Sequence, residues 1–217
     1  MPPELILYGY WRSSAAYRVR IALNLKGLVY RQVPVHLLKD GGQQQAPAYL
    51  AINPQGLVPL LQDGPVNIAQ SLAILEYLDE THPQPALLPK EAARRAHIRG
   101  LALHIACDIH PLNNLRVLQY LAAELGVTDA GKDLWYRHWV ELGLAALEQG
   151  LTLFAGGLSL GERPGYLEAC VIPQLYNARR FNCALQGYPQ LLAMEARCAV
   201  LDEFQRAAPE QQADAPQ

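Results

Sequence analysis

The residues best suited to hold an anion lie in Tyr10 to Leu23, YWRSSAAYRVRIAL, where a strand-like run passes into a helix through a turn carrying Arg12, Ser13 and Ser14. A helix N-terminus offers unpaired N–H groups and partial positive charge, so a thiolate, phosphate or carboxylate placed there is stabilised, a thiolate through a lowered pKa. Serines in that position also act as plain N-caps, contributing about 1 kcal/mol, and the turn alone does not choose between the two roles. A second helix start lies at Gln70 and Ser71. There Ser71 reads as the N-cap, with Ile74 where a capping box has Glu or Gln, so donors are left over. His110 and Asn114 bracket Pro111, which breaks or kinks a long helical run and leaves both facing irregular backbone. Three arginines complete the set: Arg12, Arg116 and Arg180. Most arginines are solvated, yet Arg12 follows an aromatic at a strand end and Arg180 precedes Phe181 on an apolar helix. Both can be drawn inward, where a guanidinium grips carboxylates in bidentate fashion. His104 and Asp108 share a helix face at i, i+4, but without a third and fourth ligand they argue weakly for metal.

The elements that position these residues follow from periodicity. Leu5 to Tyr8, Val29 to Val35, Leu57 to Leu61 and Val66 to Ile68 read as strands, and Tyr17 to Lys26 and Ser71 to Glu80 as helices, the first with one apolar side. A βαβ unit followed by a hairpin, turned by Asp63 and Gly64, and a helix is a thioredoxin-like arrangement. At Val58–Pro59 a proline enters a strand. The general preference is trans, whereas in a thioredoxin-like domain it is expected cis, freeing the Val58 N–H and C=O to pair with an extended peptide. The segment THPQPALLPK carries three prolines and reads as a stiff connector. Beyond it come helical runs only: 93–109, 111–125, 132–149, 166–181 and 188–204. The expected organisation is α/β plus all-α: a thioredoxin-like domain over 1–82, a linker over 83–90, and an all-helical domain over 91–217. The polar tail from about 207 is expected to fray.

RSSAAYRVRIALNLKG resembles the opening of zeta-class glutathione transferases, the family of maleylacetoacetate and maleylpyruvate isomerases. The resemblance continues in HLLKDGGQQ, NPQGLVPLL, AQSLAILEYLDE, DIHPLNN and NARRF, covering nearly the whole chain in order. It implies a glutathione transferase fold, glutathione as cofactor, a small dicarboxylic substrate and a homodimer. It assigns Ser13, Ser14, Arg12, Arg116 and Arg180 to catalysis. Val58 and Pro59 would hold the cysteinyl main chain of glutathione, Gln70 and Ser71 its γ-glutamyl carboxylate, and Gln44 its glycyl end. His110 and Asn114 would approach glutathione or substrate from the helical domain. The implied reaction is cis-trans isomerisation to the fumaryl compound in aromatic catabolism, by reversible addition of the glutathione thiolate to a maleyl double bond.

Three departures from the family stand out. Ala15 replaces the usual cysteine after the paired serines, and Ala16 takes a position that often holds serine, so reactions needing that cysteine are in doubt. In RPGYLEAC, Gly165 and Glu168 replace a Ser/Thr-x-x-Asp box, and local stability is expected to suffer through loss of the reciprocal hydrogen bond. A conjugating, dehalogenating or peroxidatic transferase and a non-catalytic glutathione-binding module are the competing readings. Bulk properties narrow the field further. Net charge is −2 with no basic run, which gives no sign of nucleic acid. The four cysteines have no paired spacing and read as buried thiols. With no secretory leader and no apolar run near the roughly 20 residues of a membrane span, the expected location is the cytoplasm.

Overall fold

The computed structural model describes residues 4–154 and 158–216. The chain divides into two compact units: residues up to Leu87 together with those from Val200 onward, and Leu88–Ala199. The expected bounds at residues 1 and 217 lie outside the described residues.

In the first unit, β1 (Leu5–Gly9), β2 (Tyr30–Pro34), β3 (Leu60–Asp63) and β4 (Val66–Ala69) form one sheet in the order β2-β1-β3-β4. β1 runs parallel to β2 and antiparallel to β3, and β3 and β4 form a hairpin. The parallel pair needs a crossover, supplied by α1 (Ser14–Leu25). After the hairpin comes α3 (Ser71–Thr81), the short α2 (Pro47–Leu50) preceding it in the chain. This is the thioredoxin-like arrangement expected from the sequence. The Val58–Pro59 bond is cis, as expected, and β3 starts at Leu60 rather than Leu57 because Pro59 has no N–H for the ladder.

α1 is not a helix with one apolar side: every residue from Ser14 to Leu23 is buried, Arg18 and Arg20 included. The reason lies in the carboxyl-terminal segment. α9 (Asp202–Ala207) packs on α1, which α3 also contacts, burying Phe204 and Ala207. A further 3-10 turn at Pro209–Gln211 follows, and Gln212 Nε2 donates to the carbonyls of Arg206 and Ala208 at 2.9 and 2.7 Å. The tail therefore does not fray from 207. Lys26, its side chain fully buried, ties α1 to the connector by donating to Asp79 Oδ1 at 2.8 Å and to the carbonyls of His82 and Pro85 at 2.6 and 2.9 Å.

The second unit is helical: α4 (Ala92–Leu103), α5 (Leu115–Ala123), α6 (Asp129–Gly150), α7 (Tyr166–Arg180) and α8 (Pro189–Ala199). The single run expected over 188–204 is broken by extended backbone at Leu201, which starts α9 as part of the first unit. α7 is the core helix, its residues 166–175 all buried. Glu168 is among them with no exposed surface, its carboxylate accepting from Ser159 N, Ser159 Oγ and Gly165 N at 2.6, 2.6 and 2.8 Å. Gly165 has no side chain to return a bond, so one half of the expected box is missing. The other half survives and is reinforced from Ser159, which corrects the expected local weakness. Among the described residues no helix is long and apolar enough to cross a membrane.

Candidate active site

The turn between β1 and α1 is closed by Ser13 N–H donating to Tyr10 C=O at 2.9 Å, with Trp11 and Arg12 at its corner. Ser13 is the N-cap: its Oγ accepts from Ala16 N–H at 3.2 Å and its C=O from Tyr17 N–H at 2.8 Å. An acceptor role leaves the hydroxyl proton of Ser13 available, so capping and anion binding coexist in one side chain. The amides of Ser14 and Ala15 precede the first intrahelical bond and have no partner among the described residues. Ser13 is half-buried and Ser14 buried, so the two hydroxyls are not equivalent. Arg12 is half-buried with its guanidinium 5.2 Å from the Trp11 ring centre.

Val58 sits in a loop held from three sides. Leu57 C=O accepts from both Tyr49 Oη and Asn53 Nδ2 at 2.7 Å, and Gln45 Nε2 donates to Gly56 C=O at 3.2 Å. Asn53, 2 % exposed, also orders the turn through Gln55 N–H on its Oδ1 at 3.2 Å. With its side chain on the Val35, Tyr49 and Leu60 cluster, Val58 presents an amide and a carbonyl that no group takes among the described residues. A strand-like ligand is the natural partner of such a pair.

At the start of α3 the N-cap is Gln70, not Ser71, and its backbone is in the left-handed half of the map at φ 70°. A non-glycine residue there costs about 1–3 kcal/mol and persists only where the surrounding structure holds it. Gln70 Nε2 donates to Gln55 Oε1 at 2.6 Å, and Ser71 Oγ, buried, accepts from Arg18 Nη1 at 3.2 Å. Arg18 thus places a buried cation behind this helix start. Gln44 lies in the loop after β2, where its side chain folds over Gly42; a Cβ there would meet Gln44 Nε2 at 2.6 Å, and φ 100° also demands glycine. Gln44 Oε1 is buried without a partner among the described residues.

In the second unit α4 runs into a π-helical turn, His104–Ile109, closed by His110 N–H on Ile105 C=O at 2.9 Å. Pro111 opens a 3-10 turn, and Asn114 caps α5 by accepting from Arg116 N–H at 3.2 Å. His110 and Asn114 therefore flank irregular backbone, as Pro111 dictates. The π-turn fits against α6 only because Gly143 lacks a Cβ, which would meet Ile109 Cγ1 at 2.3 Å. His104 uses its ring on Gly143 C=O at 3.1 Å and Asp108 at 3.3 Å. No group of three or more His, Cys, Asp or Glu is placed to hold a metal among the described residues. Arg116 is exposed. Arg180 is exposed too, rather than drawn inward: its guanidinium lies 4.6 Å from the Phe181 ring centre, and Phe181 stacks on buried Tyr136 at 3.5 Å. Burial pushes the Tyr136 hydroxyl well above its usual range, against the opposing field of Arg180. Neighbouring Arg179 is bound to Glu195, which raises its pKa.

Residues 7–86 match the glutathione S-transferase N-terminal domain. A probable maleylacetoacetate isomerase of Vibrio cholerae is 53% identical over 98% of this chain and 99% of its own. The chain belongs to the zeta class of glutathione transferases, the maleylacetoacetate and maleylpyruvate isomerase family. Among solved structures, the holo form of a zeta-class bacterial maleylpyruvate isomerase superposes with a TM-score of 0.93 at 42% identity, covering 97% of this chain and all of that one. Maleylacetoacetate isomerase from Anaeromyxobacter dehalogenans 2CP-1, with dicarboxyethyl glutathione and citrate in its active site, gives 0.87 at 41% identity over 98% and 94%.

Against the zeta-class pattern, Ala15 and Ala16 leave Ser13 and Ser14 as the hydroxyls of the turn. The four cysteines of the chain are all free, and Cys107 is exposed rather than buried as expected. Burial pushes Cys183 up to about 11, with Glu141 adding to it. Sequence reasoning missed Arg18, Tyr49 and Asn53. Arg18 looked like the polar side of a helix; the Asn-Pro-Gln-Gly run did signal a turn, but nothing local says that Asn53 and Tyr49 share one carbonyl.

Proposed function

We propose that this chain is a glutathione-dependent cis-trans isomerase of maleylacetoacetate or maleylpyruvate, releasing the fumaryl isomer in aromatic catabolism. The observation that carries the reading is the main chain of Val58, unpartnered among the described residues, in the same sheet unit as a hydroxyl-bearing helix start. Glutathione, an extended tripeptide, fits that pairing edge. Gln44 is assigned to its glycyl end, where Oε1 can accept from the glycyl N–H, and the left-handed Gln70 with Ser71, backed by Arg18, suits its γ-glutamyl carboxylate. When bound, glutathione supplies a sulfur nucleophile that adds reversibly across the substrate double bond and permits rotation about it. The chain's own part is electrostatic and positional. Ser13 donates its hydroxyl proton toward the sulfur, and the amides of Ser14 and Ala15 add the field of the α1 N-terminus. Val58 fixes the peptide in register. Arg12, Arg116 and Arg180 are assigned to the substrate carboxylates, Arg180 steadied by the Phe181 face, and His110 and Asn114 to ligand contacts from the break at Pro111. Support for a dicarboxylate comes from the dicarboxyethyl glutathione held by the Anaeromyxobacter relative. The free cysteines accord with a cytoplasmic enzyme, and the family reading makes it a homodimer.

Maleylacetoacetate and maleylpyruvate incubated with catalytic glutathione should lose their absorbance with no net loss of thiol. Net thiol consumption would favour a conjugating transferase, and no turnover a binding module. In the same assay Arg180→Ala should lower kcat/KM on the dicarboxylates at least about tenfold, the effect of one charged hydrogen-bond donor, while calorimetry still finds glutathione bound. Equal loss of both would contradict the assignment.

Gln70→Gly separates strain from stability. Glycine adopts φ 70° without the steric cost of a side chain, so the urea midpoint should hold or rise. Glutathione affinity should fall about 2- to 10-fold as the side-chain bond goes. A lower midpoint with unchanged affinity would show that Gln70 serves the fold alone.

A further inference from the structure

The carboxyl-terminal segment makes polar contacts that packing alone does not require. Asp214 Oδ2 accepts from Trp11 N–H at 2.9 Å, and its Oδ1 lies 3.5 Å from Gln32 Nε2 on β2. The other face of the same residue is held as well: Trp11 C=O accepts from Arg20 Nη2 at 2.9 Å. Arg20, with no exposed surface, gives its Nε to Ala207 C=O at 2.9 Å, at the end of α9. One turn further along α1, Asn24 Nδ2 donates to Glu203 C=O at 2.8 Å. Trp11 is thus clamped at both peptide groups, directly by the tail on one side and through Arg20 on the other. It is the corner residue of the turn that Ser13 N–H closes on Tyr10 C=O, and its ring carries Arg12.

From this juxtaposition we infer that Asp214 is a positioning residue of the active site, holding Trp11 so that the 10–13 turn presents the Ser13 hydroxyl and Arg12 in fixed directions. The inference rests on the proposed role of Ser13 toward a glutathione sulfur. Trp11 N–H shares its peptide plane with Tyr10 C=O, the acceptor of the turn bond, so Asp214 sets the direction in which that carbonyl meets Ser13 N–H. Arg20 holds the central Trp11–Arg12 peptide, the one whose flip changes the turn type. The charge arrangement agrees: burial lowers Arg20 to about 10, while Tyr30, Tyr17, Asp214 and Glu210 oppose the shift and keep a cation in the clamp.

The test compares Asp214→Ala with Asp214→Asn in the full chain. Asparagine keeps a carbonyl oxygen for Trp11 N–H, whereas alanine removes it. Hydrogen exchange of the peptide containing Trp11 to Ser13, measured without glutathione, should speed up at least about tenfold in the alanine variant and stay near wild type in the asparagine one. The thiolate absorbance of bound glutathione, titrated with pH in the absence of maleyl substrate, should move upward by about half a unit in Asp214→Ala, with Asp214→Asn restoring most of it. Turnover of maleylacetoacetate should follow the same order, kcat falling more than the KM for glutathione rises. Wild-type exchange and titration in Asp214→Ala would overturn the inference, as would an asparagine variant as impaired as the alanine one. If wild type binds glutathione without isomerising maleyl acids, the functional reading fails while exchange and titration still judge Asp214. If Asp214→Ala fails to fold, Asp214→Asn decides: near-wild-type exchange and titration support the hydrogen bond, and impairment refutes it.

Discussion

Glu168→Ala is expected to destabilise the helical unit by about 3–5 kcal/mol, the scale of breaking a buried hydrogen-bond network with several donors left unsatisfied. The carboxylate has no exposed surface and receives three donors, Ser159 N, Ser159 Oγ and Gly165 N. Alanine would strand all three in the interior, at about 1–3 kcal/mol for each buried group left unsatisfied, with the sum reduced by relaxation. It would also free the segment before α7 from the start of the core helix. Urea unfolding followed by tryptophan emission reads this directly, since Trp135 and Trp139 lie in the helical unit and Trp11 in the other. A midpoint corresponding to less than about 1 kcal/mol of loss, the size of an ordinary surface effect, would show that Glu168 is replaceable. Gln at 168 offers one acceptor oxygen in place of two and should fall between.

Ser13→Ala should reduce kcat about 10²- to 10³-fold, the scale seen when one preorganised donor to developing negative charge is removed. With Ala15 and Ala16 next in the helix, only the buried Ser14 hydroxyl remains in the turn. Loss of the cap bond to Ala16 N–H will also cost about 1 kcal/mol of stability. Ser13→Asp distinguishes the two roles. An aspartate caps as well as serine, so thermal stability should return, yet its charge opposes a neighbouring thiolate and activity should stay low. Activity in Ser13→Ala within tenfold of wild type would reduce Ser13 to a cap.

Much of this was legible in the chain. Alternating and 3.6-residue apolar patterns placed the four strands and most helices, and the Tyr10–Leu23 stretch marked the candidate anion-binding turn because serine, strand end and helix start coincide there. Pro111 likewise announced the irregular backbone around His110 and Asn114. What escaped depends on partners distant in sequence. AAPEQQADAPQ has little apolar surface, so a reading based on burial sees only a loose end. Its attachment runs through Asp214, a few carbonyls and the buried arginine they suit. Arg18 and Arg20 look like a solvated stripe until both sides of α1 are covered. Glu168 looked like half of a broken cap because its second set of donors comes from Ser159, nine residues back.

The first compact unit is discontinuous: its sheet lies before the helical unit in sequence and its closing helix, Asp202–Ala207, after it. During synthesis, domains fold as their sequence emerges, but this one cannot be finished until the whole helical unit has been translated. The first unit therefore closes only once α9 has followed the helical unit out of the ribosome, and until then α1 offers an uncovered flank, the buried Arg20 included, to any chaperone at the exit tunnel.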